Sequence, residues 1–171
     1  MILFLFGRPG AGKNVVGKKL AESLGTIYFD CDDCYTESDR FAIRTNSFTD
    51  KESGLFLERV IQTLREMCPE ENLLIASQSL FKEKYRKRLK EEFYDNICLV
   101  YLDVPTSITL NRVGLRSMET EHFYGLEQYM QEINEYEDVK TCDLRVENIG
   151  SVDETVRIIK QKFKIAFRKI G

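Results

Sequence analysis

Phe6-Gly7-Arg8-Pro9-Gly10-Ala11-Gly12-Lys13-Asn14 is the stretch on which the fold turns. The apolar run Ile2–Phe6 leads straight into it, and Val16, Leu20 and Leu24 follow at helical spacing. Strand, glycine-rich loop and helix in that order make a phosphate cradle, spelled G-x-x-x-x-G-K. Glycines let successive N–H groups turn into one concavity, the helix N-terminus adds partial positive charge, and Lys13 brings a mobile cation to the β and γ phosphates. Gly7, Arg8, Pro9, Gly10, Ala11, Gly12, Lys13, Asn14 and Val15 are therefore the expected nucleotide-binding residues. A Ser or Thr usually follows the lysine and gives its hydroxyl oxygen to Mg²⁺. Here the candidate metal ligand is the longer amide of Asn14, which would have to displace a water or shift the ion.

Working outward, short apolar runs alternate with amphipathic stretches. Ile2–Phe6, Thr26–Phe29, Leu73–Ala76, Ile97–Leu102 and Cys142–Val146 read as strands, each followed by helix-like sequence. Strands apolar along their whole length, alternating with helices, predict an α/β fold with a parallel sheet covered on both faces. Thr49-x-x-Glu52 and Ser151-x-x-Glu154 are capping boxes that open helices. Phe81, Tyr85, Leu89 and Phe93 mark one helix face, and Tyr124, Tyr129 and Tyr136 read as core. The basic run Lys82, Lys84, Arg86, Lys87, Arg88, Lys90 reads as a solvated face from which Lys82 and Arg86 could reach the crevice.

The 171 residues suit a single domain spanning 1–171, and no linker or repeat divides them. A net charge of −3 gives no general basis for binding nucleic acid or an anionic membrane, so any anion site is local. Met1–Phe6 is too short for a signal peptide or a membrane helix. Five scattered cysteines show no disulfide spacing. Cys31-x-x-Cys34, with one histidine in the chain, reads as ordinary thiols in a reducing cytoplasm rather than half a zinc site.

A second chemical cluster lies just past the second strand, at Asp30-Cys31-Asp32-Asp33. Ligands of open parallel sheets bind outside the carboxyl ends of the strands, so these acids should face the crevice of the glycine loop. Phosphoryl transfer asks one carboxylate to hold the Mg²⁺ shell and another to orient the attacking hydroxyl, roles that Asp30 and Asp32 can divide. Asp33 reads as an acidic cap of the helix that follows.

With these elements in view, the chain resembles the gluconate kinase and shikimate kinase branch of small P-loop kinases. Ala76-Ser77-Gln78-Ser79-Leu80-Phe81-Lys82 with Tyr85-Arg86 is similar to the Cys-Ser-Ala-Leu-Lys…Tyr-Arg segment of gluconate kinases. Arg112, Arg116 and His122-Phe123 are similar to their arginine-bearing lid and Gly-His-Phe segment. The resemblance implies a P-loop NTPase fold of the nucleoside-monophosphate-kinase type, three-layer α/β/α with a five-stranded parallel sheet. It also implies a substrate-binding helical segment at about 33–68 and a lid at about 114–124.

It further implies ATP and Mg²⁺ as cofactors and a small hydroxylated metabolite, such as gluconate, as acceptor. Asp30 and Asn14 would lie on the metal side, Asp32 against the substrate hydroxyl, and Lys13 and Arg116 on the transferring phosphoryl group. Arg112 would contact the nucleotide, while Arg40, Arg44, Ser79, Lys82 and His122 join Asp32 as substrate-side residues. A homodimer stays open. Shikimate kinases carry three glycines after the third strand where this chain has Ser77-Gln78-Ser79. The arginine that gluconate kinases carry in an Asp-rich run is missing from Asp50–Phe56. A shikimate or nucleotide kinase with altered motifs, and a nucleotide-binding module without turnover, are the other readings the motifs allow.

Overall fold

The computed structural model describes residues 1–68, 73–119 and 126–167, and at 116–119, 126–128, 131–132 and 165–167 the backbone alone. Five strands, β1 (Ile2–Phe6), β2 (Ile27–Asp30), β3 (Leu74–Gln78), β4 (Ile97–Asp103) and β5 (Leu144–Glu147), form one sheet in the order β2-β3-β1-β4-β5. Every pairing is parallel. All five fall within two residues of the apolar runs read from the sequence. β1, β3 and β4 are buried on both faces, as a sheet covered on both sides requires.

Among the described residues, seven α-helices flank the sheet: α1 (Lys13–Leu24), α2 (Glu37–Arg44), α3 (Asp50–Met67), α4 (Glu83–Phe93), α5 (Thr106–Glu119), α6 (Leu126–Glu135) and α7 (Val152–Phe167). Because strand side chains alternate, Leu3 and Leu5 face one way and Ile2, Phe4 and Phe6 the other. Leu3 and Leu5 pack with Val16 and Leu20 of α1 and Val156 and Ile159 of α7. Ile2, Phe4 and Phe6 pack with Val60, Ile61 and Leu64 of α3 and Leu89 of α4. Helix, sheet, helix: the three layers expected from the alternation are present. Truncating a fully buried member such as Leu64 to alanine costs about 2–5 kcal/mol.

Two capping boxes hold the segment after β2. Thr49 and Glu52 cap α3 reciprocally, and Thr36 and Asp39 do the same for α2. Ser151 Oγ accepts the Glu154 N–H at 3.2 Å at the start of α7. No described helix is long and apolar enough to cross a membrane.

Arg86 corrects the reading of the basic run. It is fully buried, not solvated and not in the crevice. Its Nε donates to Leu80 O, Nη1 to Glu83 Oε2 and Asp138 O, and Nη2 to Phe81 O and Glu137 O, all at 2.9–3.0 Å. A guanidinium has five N–H donors, and here each has an acceptor, which is what makes burial of the charge tolerable. Its face lies 4.9 Å from the Tyr136 ring centroid. The helical spacing did place Arg86 one turn from Lys82 and Lys90. The carbonyls that take it inside come from residues up to 52 positions away.

Candidate phosphate and acceptor site

The order of the sheet puts β1 between β3 and β4, so the connections leave β1 and β3 on opposite sides and open a crevice at their carboxyl ends. The glycine loop fills the end of β1. Gly10 and Gly12 have φ of 77° and 87°, left-handed values that a side chain resists. A Cβ on Gly10 would lie 2.7 Å from Thr109 O, and one on Gly12 2.7 Å from Asn148 Nδ2. Both positions therefore need glycine twice over, for conformation and for space.

Lys13 Nζ donates to Gly7 O at 3.1 Å and Arg8 O at 3.2 Å, and the Ala11 N–H also returns to Arg8 O. α1 begins at Lys13 with no side chain capping it, and the first amide to find a helical carbonyl is that of Val16, on Gly12 O. The leading turn thus presents its amides to an anion. Arg112 lies against the same loop, with Nη1 on Gly10 O at 3.3 Å and Nη2 on Asn148 O at 3.2 Å. Arg8 reaches sideways: Nη1 donates to Thr106 Oγ1 at 3.1 Å, and the guanidinium sits 5.4 Å from the Tyr136 ring.

The acids stand where the end of β2 delivers them. Asp30 caps the 3₁₀ turn Cys31–Cys34, accepting the Asp32 N–H at 3.2 Å on Oδ1, so the capping role expected of Asp33 belongs to Asp30. Its Oδ2 accepts a hydrogen bond from Asn14 Nδ2. Asn14 and Asp30 do meet, but Asn14 turns its amino end, not its oxygen, toward the carboxylate. Burial, and next the Asp32 charge, raise the Asp30 carboxyl above its ordinary 3.8. A half-buried carboxylate beside another carboxylate is the donor set that a hard divalent cation relieves, so these residues fit Mg²⁺.

Asp32 is exposed to the crevice, and its Oδ1 accepts from Gln78 Nε2 at 2.7 Å. Gln78 in turn accepts the Ser79 N–H on Oε1, which fixes its amide. Arg40 Nη2 donates to the Asp32 carbonyl at 2.9 Å, and Arg44 lies one helical turn further along α2, exposed. Ser79 is buried at the end of β3. Lys82 is held at 2.7 Å by Asp50, which also takes Lys84 and the Tyr85 hydroxyl, so it ties α4 to α3. Arg116 lies on the α5 backbone, but its side chain, His122 and the rest of 120–124 in the expected lid lie outside the described residues.

Three residues escaped the sequence reading. Gln78 is discoverable in principle, as a polar residue at the carboxyl end of a buried strand. Asn148 sits just past β5, 3% exposed, with Nδ2 on Ala11 O at 2.7 Å. Arg59 of α3 pairs with Asp39 and donates to Cys34 O at 3.1 Å. For the last two no local pattern announces the partner.

The shikimate kinase family model matches residues 9–146. A gluconokinase of Arabidopsis thaliana is 25% identical over 135 residues, 73% of this chain and 71% of its own length. A shikimate kinase of Clostridium botulinum is 28% identical over 164 residues, 93% of this chain and 94% of its own. Among solved structures, a gluconokinase from Sinorhizobium meliloti 1021 superposes with a TM-score of 0.80 at 21% identity, covering 98% of this chain and 94% of that one. A shikimate kinase from Acinetobacter baumannii gives 0.68 at 19%, covering 97% and 94%.

Proposed function

The chain belongs to the shikimate kinase family of P-loop kinases, and from that premise we propose that it transfers the γ-phosphoryl group of ATP, with Mg²⁺, to a hydroxyl of a sugar acid such as gluconate. At the coarser level it is a phosphotransferase acting on a hydroxyl group of a small metabolite. The observation that carries the finer reading is the Asp32–Gln78 hydrogen bond. It holds one carboxylate oxygen, Oδ1, and in this reading Oδ2 is the atom that receives the proton of the acceptor hydroxyl.

In the proposed reaction the acceptor oxygen attacks the γ-phosphorus as the bond to ADP breaks, and Asp32 Oδ2 takes the hydroxyl proton. Lys13 leaves the carbonyls of Gly7 and Arg8 for phosphate oxygens and, with Arg116, steadies the charge that builds on them. Asp30 would hold Mg²⁺, joined by the amide oxygen of Asn14 once its amino group leaves that carboxylate, and the ion when bound neutralises charge on the β and γ phosphates. Arg40, Arg44, Ser79 and His122 are the proposed acceptor-side contacts, with Lys82 bracing that wall through Asp50.

Gln78 favours the sugar acid, because its side chain occupies a place where shikimate kinases have glycine. The family model favours shikimate, which is the second reading. Labelled ATP, Mg²⁺ and a panel of gluconate, other sugar acids, shikimate and nucleotides separate the two. Gluconate or a near relative should be the best acceptor. Preferential labelling of shikimate would install the second reading, and ATP binding with no acceptor labelled would leave a nucleotide-binding module.

A further inference from the structure

Resting on that reading, we propose that Asn148 is a positioning residue for the phosphate site: it aims the Gly12 N–H at the nucleotide's β-phosphate by holding the carbonyl of the same peptide from behind. A trans peptide unit points its C=O and N–H in opposite directions. The Ala11 carbonyl and the Gly12 amide belong to one such unit. Asn148 Nδ2 donates to Ala11 O at 2.7 Å, so the carbonyl is drawn toward the β5–α7 connection and the Gly12 N–H is turned away from it.

The amide that does this is itself locked. Asn148 Oδ1 accepts from Thr155 Oγ1 at 2.7 Å, which leaves Nδ2 as the only end that can face a carbonyl. Its main chain is fixed too, the N–H on Asp103 O at 3.1 Å and the C=O taken by Arg112 Nη2. All four of its polar groups are therefore engaged, at 3% exposure. Arg112 completes the frame by holding Gly10 O, one peptide upstream. Gly12 fits only because it lacks a Cβ, which would strike Nδ2 at 2.7 Å. The loop thus has an outer brace, built from α5 and the β5–α7 connection, that sets its donors before any nucleotide arrives.

The test is nucleotide selectivity rather than activity. Asn148→Ala removes the brace, Asn148→Asp keeps its shape but cannot donate to Ala11 O, and Thr155→Val leaves Asn148 in place with its amide unlocked. Binding of adenosine, AMP, ADP and AMPPNP is measured by calorimetry for each, with melting curves to check folding. One misaimed donor predicts about a tenfold loss for ADP and AMPPNP in both Asn148 variants, a smaller loss in Thr155→Val, and adenosine and AMP within about twofold of the parent. ADP affinity unchanged in a folded Asn148→Ala protein would overturn the proposal, as would an equal loss for adenosine and AMP, which marks a general disturbance. If the Asn148 variants fail to fold, Thr155→Val decides on the same criterion. A parent protein that binds none of the phosphorylated nucleotides would overturn the kinase reading itself, a result distinct from variants that bind like the parent.

Discussion

The Lys13 ammonium rests on the Gly7 and Arg8 carbonyls at 3.1 and 3.2 Å, and neutral carbonyl oxygens are weaker partners for it than charged phosphate oxygens. Its neighbour Asn14 spends its amino group on Asp30, where a serine would bring a hydroxyl oxygen suited to a hard cation. Lys13→Ala should lower turnover by about 10²-fold or more with an unshifted melting curve, the scale of losing one charged donor. Asn14→Ser should raise turnover several-fold at limiting Mg²⁺. Steady-state kinetics against Mg²⁺ concentration checks both; unchanged rates in Lys13→Ala would dismiss the loop as the donor site. The glycine loop and the Asp30–Asp32 pair were readable because each is local, a motif on consecutive residues. Gln78 showed only as a polar residue ending a buried strand, without its partner 46 positions away, and Asn148 showed no local signal at all, its partner lying 137 positions away. An asparagine after a strand looks the same in a sequence whether or not a loop carbonyl waits for it.

At the scale of elements, α2 and α3, the wall proposed to face the acceptor, are joined by a part-buried ion pair. Asp39 accepts from the Thr36 N–H and hydroxyl at 2.8 Å and pairs with Arg59. Burial works against its charge, but the Thr36 bonds and Arg59 outweigh it and hold the carboxyl below its ordinary 3.8. A group whose folded value is depressed contributes stability above its unfolded value and loses it as pH falls through the folded one. Asp39→Asn should therefore melt about 2–4 °C below the parent at pH 6, one cap's worth in a chain of this size. The gap should close as pH drops below 3.8, and melting curves from pH 6 to pH 3 measure it. A gap that stays constant with pH would assign the loss to packing instead. The Thr49 box was legible from spacing, because its partners are three residues apart. The Asp39–Arg59 pair was not, because it spans 20.

At the scale of the molecule, the sheet supplies stability and the crevice at its carboxyl edge supplies chemistry. The two are separable. The buried faces of β1, β3 and β4 close the core without help from Lys13, Asp30 or Asp32. A ligand that binds only the folded chain adds stability by mass action, roughly 2.7 kcal/mol at a hundredfold excess over Kd. For a chain of 171 residues that is a rise of about 5–10 °C in melting temperature. MgATP should produce it in the parent and fail to in Lys13→Ala; a rise of equal size in both would place the nucleotide elsewhere. The Arg86 clamp works at this same scale, joining the β3–α4 turn to the approach to β5. Four of its five acceptors are main-chain carbonyls, which every amino acid possesses. The demand falls on position 86 and on the Glu83 carboxylate, while the side chains of Leu80 and Asp138 are not asked for by that clamp. Evolution is thereby left free to vary the text around the arginine without loosening what the arginine holds.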